Sequence, residues 1–125
     1  MTPDPIVLSA GLNQNFQLFR AEAKVLQIAM PGYDLVALTE FEWRLCWSPY
    51  SADIADETFV KKTTAAGIAV AGANLEITLA SADTAALQPG IYYHELKVTD
   101  AAEVKVVMTG NAVIRMSLNM EGITP

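Results

Sequence analysis

Short segments in which apolar and polar residues alternate constrain this chain more than any other feature of its sequence. The clearest alternation runs from residue 40 to residue 47. One face of that segment carries Phe41, Trp43, Leu45 and Trp47, and the other carries Glu42, Arg44 and Cys46. Because successive side chains of a β-strand point to opposite faces, a period of two predicts a strand that is buried on one side.

Weaker segments of the same kind cover residues 24–30, 59–63, 68–70, 74–80, 91–99 and 103–118, the last interrupted at Gly110. Turn residues separate them, and one helical turn is expected at 81–87, where Ser81 can cap it and Pro89-Gly90 can end it. Gly90 is expected to need a positive φ or to lie where backbone crowds it. We predict an all-β fold, an immunoglobulin-like antiparallel β-sandwich of about seven to nine strands with one short helical turn.

The predicted inner faces supply enough large side chains for one core, so residues 1–125 are expected to form a single domain. The inward set is Leu26, Ile28, Phe41, Trp43, Leu45, Trp47, Leu75, Ile77, Leu79, Tyr92, Leu96, Val98, Val104 and Val106. Residues 1–14 and 119–125 lack this alternation and are expected to be extended terminal arms. Their apolar residues are candidate assembly contacts: Ile6, Val7, Leu8, Met116, Leu118, Met120 and Ile123.

Charge and composition exclude several classes of protein. The net charge is −6 and there is no basic run that would neutralise a phosphate backbone, so nucleic acid is not an expected partner. No apolar run approaches the roughly 18–20 residues of a membrane span, and the N-terminus does not have the pattern of an export signal. The single cysteine, Cys46, cannot form an internal disulfide. The apolar share of 52% favours a protein that forms contacts with others.

The residues that carry catalysis or bind metals are too few for an enzyme of the common types. One histidine and one cysteine cannot complete a zinc site, and we expect no cofactor. His94 shares a face with Tyr92 and Leu96, which predicts a neutral, hydrogen-bonded core imidazole, and Cys46 is expected to be a packed thiol. The acidic segment Asp53, Asp56 and Glu57 is interpreted as a solvated loop, with a small hydrolase using Asp53 and Glu57 as a remote third hypothesis.

Three tyrosines support an alternative hypothesis, in which the function is not assembly. Tyr33, Tyr50 and Tyr93 are predicted to lie at the surface, where each ring would present a flat apolar face to a sugar. A carbohydrate-binding adhesion module is therefore the alternative hypothesis. Loss of glycan binding when these tyrosines are changed to Ala would favour it.

One segment carries a resemblance to a known group of proteins. Leu79 to Asp100 contains an Asp-Thr-x-x-Leu-x-Pro-Gly-x-Tyr corner from Asp83 to Tyr92, followed by a strand that ends in Leu-x-Val-Thr-Asp. This segment resembles small bacteriophage tail and baseplate proteins, in particular the N-terminal domain of phage baseplate upper proteins. With Asp34-Leu35 and Phe41-x-Trp-x-Leu also similar, the resemblance extends from about residue 20 to residue 118.

The resemblance implies an immunoglobulin-like module of the virion that uses no cofactor. The corresponding hypothesis is a non-enzymatic structural protein of a tailed phage or prophage, a tail, baseplate or decoration component that acts by assembly. Its partners would be other virion proteins, with several copies of the chain or a homo-oligomer in one particle. It would be made in the cytoplasm of the bacterial host and would end in the virion.

Overall fold

A computed structural model describes residues 5–48, 58–101 and 103–116 of the chain. They form nine strands and one short helix. The strands are β1 (Ile6–Ser9), β2 (Phe16–Phe19), β3 (Lys24–Ala29), β4 (Glu40–Cys46), β5 (Thr58–Thr63), β6 (Ile68–Ala71), β7 (Asn74–Leu79), β8 (Gly90–Asp100) and β9 (Glu103–Arg115). The helix α1 (Ser81–Thr84) lies where the sequence predicts a helical turn.

Two sheets pack face to face. The first has four strands in the order β1-β3-β7-β6, and the second has five in the order β2-β9-β8-β4-β5. Neighbouring strands are antiparallel except at one side of the sandwich, where β1 runs parallel to β3 and β2 runs parallel to β9. The predicted all-β sandwich is therefore confirmed, and the two parallel pairs are a departure from the purely antiparallel pairing that we expected.

The core lies between the sheets and contains most of the predicted inward residues. Trp43 is its largest fully buried side chain and lies in the middle of β4. The other side chains with almost no exposure are Leu26, Ile28, Met30, Leu45, Leu75, Ile77, Leu79, Leu96, Met108, Ile114 and His94. Burial of this much apolar surface is the main stabilising contribution in a domain without disulfides.

Three predicted core residues are not buried. Strand β4 ends at Cys46, so Trp47 lies beyond it and remains 59% exposed. Val104 and Val106 are exposed because a β-bulge interrupts the pairing of β8 with β9: Leu96 pairs with Met108, whereas Lys97 pairs with Val106. One extra residue in a strand moves every later side chain to the opposite face. The apolar residues keep a period of two across this bulge, so the sequence analysis did not predict it.

The expectation for Gly90 is wrong. Gly90 begins β8 at ordinary strand angles, is exposed, and would have no atom within 4 Å of an added Cβ. Gly110 is the crowded glycine instead. It lies inside a continuous β9, and a Cβ there would overlap the backbone of Gln14, which crosses over it.

The segment 1–14 is not a free arm over its described part. Ile6–Ser9 forms β1, in register with Leu26 to Ala29 of β3, and the backbone of Gly11 and Gln14 bonds to β9. A strand of four residues is too short to show a period of two. Its partner strand is also distant in sequence, so no local pattern revealed the pairing.

Candidate interaction surface

The side of the sandwich that carries the two parallel pairs is the candidate interaction surface. Ile6 of β1, Leu18 and Phe19 of β2 and Arg115 of β9 line a groove of about 170 Å³ there. Gln17, Glu22 and Lys24 complete its lining. The first described strand and the end of the last strand therefore meet at one place. We call this groove the terminal groove, because Ile6 near the start and Arg115 near the end of the described chain both line it.

The candidate contacts differ in how accessible they are. Val7 is 69% exposed and Met116 is 44% exposed, while Ile6 is partly buried against the core. Leu8 is buried in the core, so it is not available to a partner and is corrected from a contact to a core residue. Leu118, Met120 and Ile123 lie outside the described residues. The sequence analysis missed Phe19, which is 44% exposed at the groove.

Most polar groups around the terminal groove have a partner within the chain. Glu22 accepts a hydrogen bond from the backbone N–H of Phe19 at 3.2 Å and lies 3.9 Å from the ammonium of Lys24. Arg115 donates to the side-chain oxygen of Gln17 at 3.2 Å. The exposed ring of Phe19 lies beside these polar groups at the groove. An exposed apolar ring within a polar rim is typical of surfaces that contact other proteins.

A second exposed region is an aromatic cleft, lined by Trp47, Phe59, Leu87 and Tyr92 with a volume of about 490 Å³. The rings of Trp47 and Phe59 each meet the ring of Tyr92 edge-on, with centroids 5.8 and 5.4 Å away. Tyr92 is buried, and its hydroxyl donates to the backbone oxygen of Gln88 at 2.6 Å. Burial raises the pKa of Tyr92. The cleft was not predicted, because Trp47 was placed in the core.

His94 is part of the core. The indole N–H of Trp43 donates to Nδ1 of His94 at 3.1 Å, and Nε2 of His94 lies 2.6 Å from the backbone oxygen of Gln14. Burial lowers the pKa of His94 to about 4, although the bond to Gln14 acts in the opposite direction. The prediction of a neutral, hydrogen-bonded core histidine is confirmed. Both ring nitrogens are engaged, so neither is placed to accept a proton from a substrate.

Cys46 is buried, and its thiol lies 3.8 Å from the hydroxyl of Thr58. Burial raises the pKa of this thiol, which lowers its reactivity near neutral pH. The predicted packed thiol is confirmed. Asp53, Asp56 and Glu57 lie outside the described residues.

Of the candidate sugar-binding tyrosines, the structure describes Tyr33 and Tyr93, which lie in different parts of the sandwich. Tyr33 is exposed in the turn after β3 of the four-stranded sheet. Tyr93 is half-buried in β8 of the five-stranded sheet, where its hydroxyl donates to Glu95 at 2.8 Å. Burial and this carboxylate both raise the pKa of Tyr93. Tyr50 lies outside the described residues.

The described part of the chain contains neither a cluster of metal ligands nor a membrane-spanning helix. No group of three or more His, Cys, Asp and Glu side chains there could hold a metal ion. Over residues 5–48, 58–101 and 103–116, no helix is both long and apolar enough to cross a bilayer.

Comparison with known proteins gives a match in structure but not in sequence. No family model matches the chain, and no curated protein matches it significantly. Among solved structures, the chain is similar to the N-terminal domain of phage TP901-1 ORF48. The TM-score is 0.51 at 16% identity, and the match covers 92% of this chain and 99% of that one. The chain has the fold of a phage protein domain. The resemblance predicted from the Asp83–Tyr92 corner is thereby confirmed for the fold.

Proposed function

We propose that this chain is a non-enzymatic structural protein of a tailed bacteriophage or prophage, a tail, baseplate or decoration component that acts by binding other virion proteins. The observation that carries the proposal is the fold match to the phage domain, which covers nearly all of both chains. The engaged, buried His94 supports a role without catalysis. On this proposal the chain is made in the host cytoplasm and is present in several copies per virion.

The terminal groove is the surface through which we propose that assembly occurs. The exposed Phe19 and the partly buried Ile6 line it, and the exposed Val7 and Met116 are the chain neighbours of the lining residues Ile6 and Arg115. The contact set is Ile6, Val7, Phe19 and Met116, together with Leu118, Met120 and Ile123 of the C-terminal segment. Leu8 supports this set from the core. Apolar side chains exposed beside a polar rim are typical of protein interfaces.

Incorporation of variants into particles tests this proposal. Val7→Glu places a charge on a side chain that is 69% exposed, so the domain should fold normally while its content in purified particles falls by about tenfold or more. Val36→Glu is the matched control, because Val36 is 93% exposed in the turn after β3. Normal incorporation of Val7→Glu and of a chain lacking residues 117–125 would place the contacts elsewhere.

The carbohydrate-binding module is the second candidate, and the aromatic cleft is the observation that favours it. Trp47 is exposed beside Phe59, and an exposed indole is the type of ring on which sugars stack. A glycan array should then show binding that Trp47→Ala abolishes. Tyr33→Ala and Tyr93→Ala test the tyrosines named from the sequence. Absence of binding by the unaltered protein would remove this alternative.

A further inference from the structure

Three rings of the aromatic cleft are close to mutually perpendicular. The interplanar angle is 79° between Trp47 and Phe59, 84° between Trp47 and Tyr92, and 89° between Phe59 and Tyr92. The corresponding centroid separations are 6.4, 5.8 and 5.4 Å, and all three rings line the same cleft. Three planes at right angles form the corner of a box. We call these three residues the aromatic corner.

The pairing of three adjacent strands positions the aromatic corner. Strands β8, β4 and β5 are neighbours in the five-stranded sheet, and Cys46 of β4 pairs with a residue of each of the other two. Trp47, Phe59 and Tyr92 are each next in sequence to a residue of this paired row. Tyr92 is buried, whereas Trp47 is 59% and Phe59 is 41% exposed. The corner therefore has one fixed, buried ring and two rings that solvent can reach.

The ring separations match the size of a compact cation. The face of an aromatic ring attracts a cation that lies within about 6 Å of the ring centroid. If three perpendicular faces are directed toward one point, that point lies at the centroid separation divided by √2 from each ring. For the separations in the aromatic corner this distance is about 3.8–4.5 Å. A neutral sugar, by contrast, stacks on a single flat face.

The polar groups of the cleft show which kind of cation fits. The carboxylate of Asp83 accepts a hydrogen bond from the N–H of Ala80 at 2.7 Å and lies 2.9 Å from the ammonium of Lys62. The hydroxyl of Tyr92 donates to the backbone oxygen of Gln88. The charge and the hydroxyl of the lining are thus already used within the chain. A primary ammonium is strongly hydrated and needs acceptors for its N–H groups, whereas a quaternary ammonium has no N–H group and needs none.

We propose that the aromatic corner binds a trimethylammonium group. The methyl groups contact the rings of Trp47, Phe59 and Tyr92, and the positive charge interacts with the electron-rich ring faces. The ligand class is a small molecule or side chain that ends in such a group, as choline and trimethyllysine do. The inference does not rest on the virion role proposed above.

Titration with choline, followed by NMR, tests the binding. The indole N–H signal of Trp47 should shift and saturate. The signal of Trp43 is the internal control, because this indole is buried and donates to His94. The control ligand is the neutral carbon analogue of choline, in which a tert-butyl group replaces the trimethylammonium group. Choline should bind at least about tenfold more tightly than this analogue. The absence of a saturable shift with choline, or equal affinities for the two ligands, would overturn the proposal.

Substitutions that keep apolar bulk test the role of the rings. Trp47→Leu should weaken choline binding by about fivefold or more, and Phe59→Leu should also weaken it. Ile91→Ala is the matched control, because Ile91 is 68% exposed on the opposite face of β8 from Tyr92. Both replaced rings are exposed, so the variants should fold, and denaturant unfolding checks this. An unchanged choline affinity in folded Trp47→Leu would refute the aromatic corner as the site.

The carrier of the trimethylammonium group is identified by comparing phosphocholine with trimethyllysine in the same titration. Tighter binding of either one than of choline supports the proposal and names the carrier. A neutral sugar that shifts the Trp47 signal when choline does not would overturn the proposal and favour the carbohydrate-binding module.

Discussion

At the scale of single residues, the hydrogen bonds of His94 determine its protonation. Nδ1 accepts from the indole N–H of Trp43 and must therefore lack a proton, so the proton lies on Nε2 and is donated to Gln14. A second proton on Nδ1 would face the N–H of Trp43 at 3.1 Å and have no acceptor. The buried position adds the cost of removing a charge from water.

The pH dependence of stability follows from this histidine. The pKa of His94 falls from 6.5 to about 4 on folding, so between these values the unfolded chain binds a proton that the folded chain does not. The contribution of His94 to stability is therefore complete above about pH 6.5 and falls by about 3 kcal/mol by pH 4. Urea unfolding of the unaltered protein and of His94→Gln at pH 7.5 and 4 measures this. The difference in free energy of unfolding between the two proteins should be about 3 kcal/mol smaller at pH 4 than at pH 7.5. An equal difference at both pH values would contradict the protonation assigned to His94.

The two tryptophans differ in burial, which predicts different costs of truncation. Trp43 is fully buried, so Trp43→Ala should cost about 3–5 kcal/mol. Trp47 is largely exposed and contributes mainly edge-on contacts with Tyr92 and Phe59, so Trp47→Ala should cost about 1 kcal/mol. Denaturant unfolding of both variants measures these two losses of stability. Equal losses would show that Trp47 belongs to the core after all.

At the scale of elements, the crossing of residues 10–15 from one sheet to the other determines where β9 needs glycine. The N–H of Gln14 donates to Thr109 at 2.9 Å, and its oxygen accepts from His94, the residue that pairs with Gly110. The Gln14 backbone thus occupies the space that a side chain at position 110 would fill. The glycine, the histidine and the crossing segment form one local arrangement.

Substitution of the two glycines tests this arrangement. Gly110→Ala should destabilise the protein by about 1–3 kcal/mol, because the new methyl group would overlap the Gln14 backbone. Gly90→Ala should change stability by less than about 0.5 kcal/mol, since the position is open. Thermal unfolding of both proteins is the measurement. A tolerated Gly110→Ala would mean that residues 10–15 do not cross at this place.

At the scale of the whole molecule, the sequence predicts the sandwich well but not its edges. Alternation in residues 40–46 and 91–98 identifies central strands, because both neighbours of such strands lie within the sheet and one face is buried. Strands β1 and β2 have four residues each and pair with distant segments, so local pattern could not reveal them. For the same reason the terminal groove could not be predicted, although Ile6, which lines it, was named as a candidate contact.

Removal of the N-terminus tests how far β1 belongs to the domain. If residues 1–14 and 119–125 were extended terminal arms, as the sequence analysis expects, a chain without residues 1–12 and 119–125 would stay folded. The structure predicts that loss of β1 removes Leu8 from the core and exposes the edge of β3, at a cost of at least about 3 kcal/mol. Deletion of residues 117–125 alone is the control. Equal melting temperatures for the two truncated proteins would contradict the place of β1.

The parallel pairing of β2 with β9 has a consequence for biosynthesis. Phe16 of β2 pairs with Ala112 of β9, so β2 cannot pair within the five-stranded sheet until β9 has been translated. At about 5–20 residues per second, this interval is on the order of ten seconds. During it, the uncharged segment Phe16–Phe19, which forms β2, leaves the ribosome before its partner strand exists. The larger sheet is therefore closed only after translation is nearly complete, and the nascent chain meets chaperones and proteases with this segment unpaired.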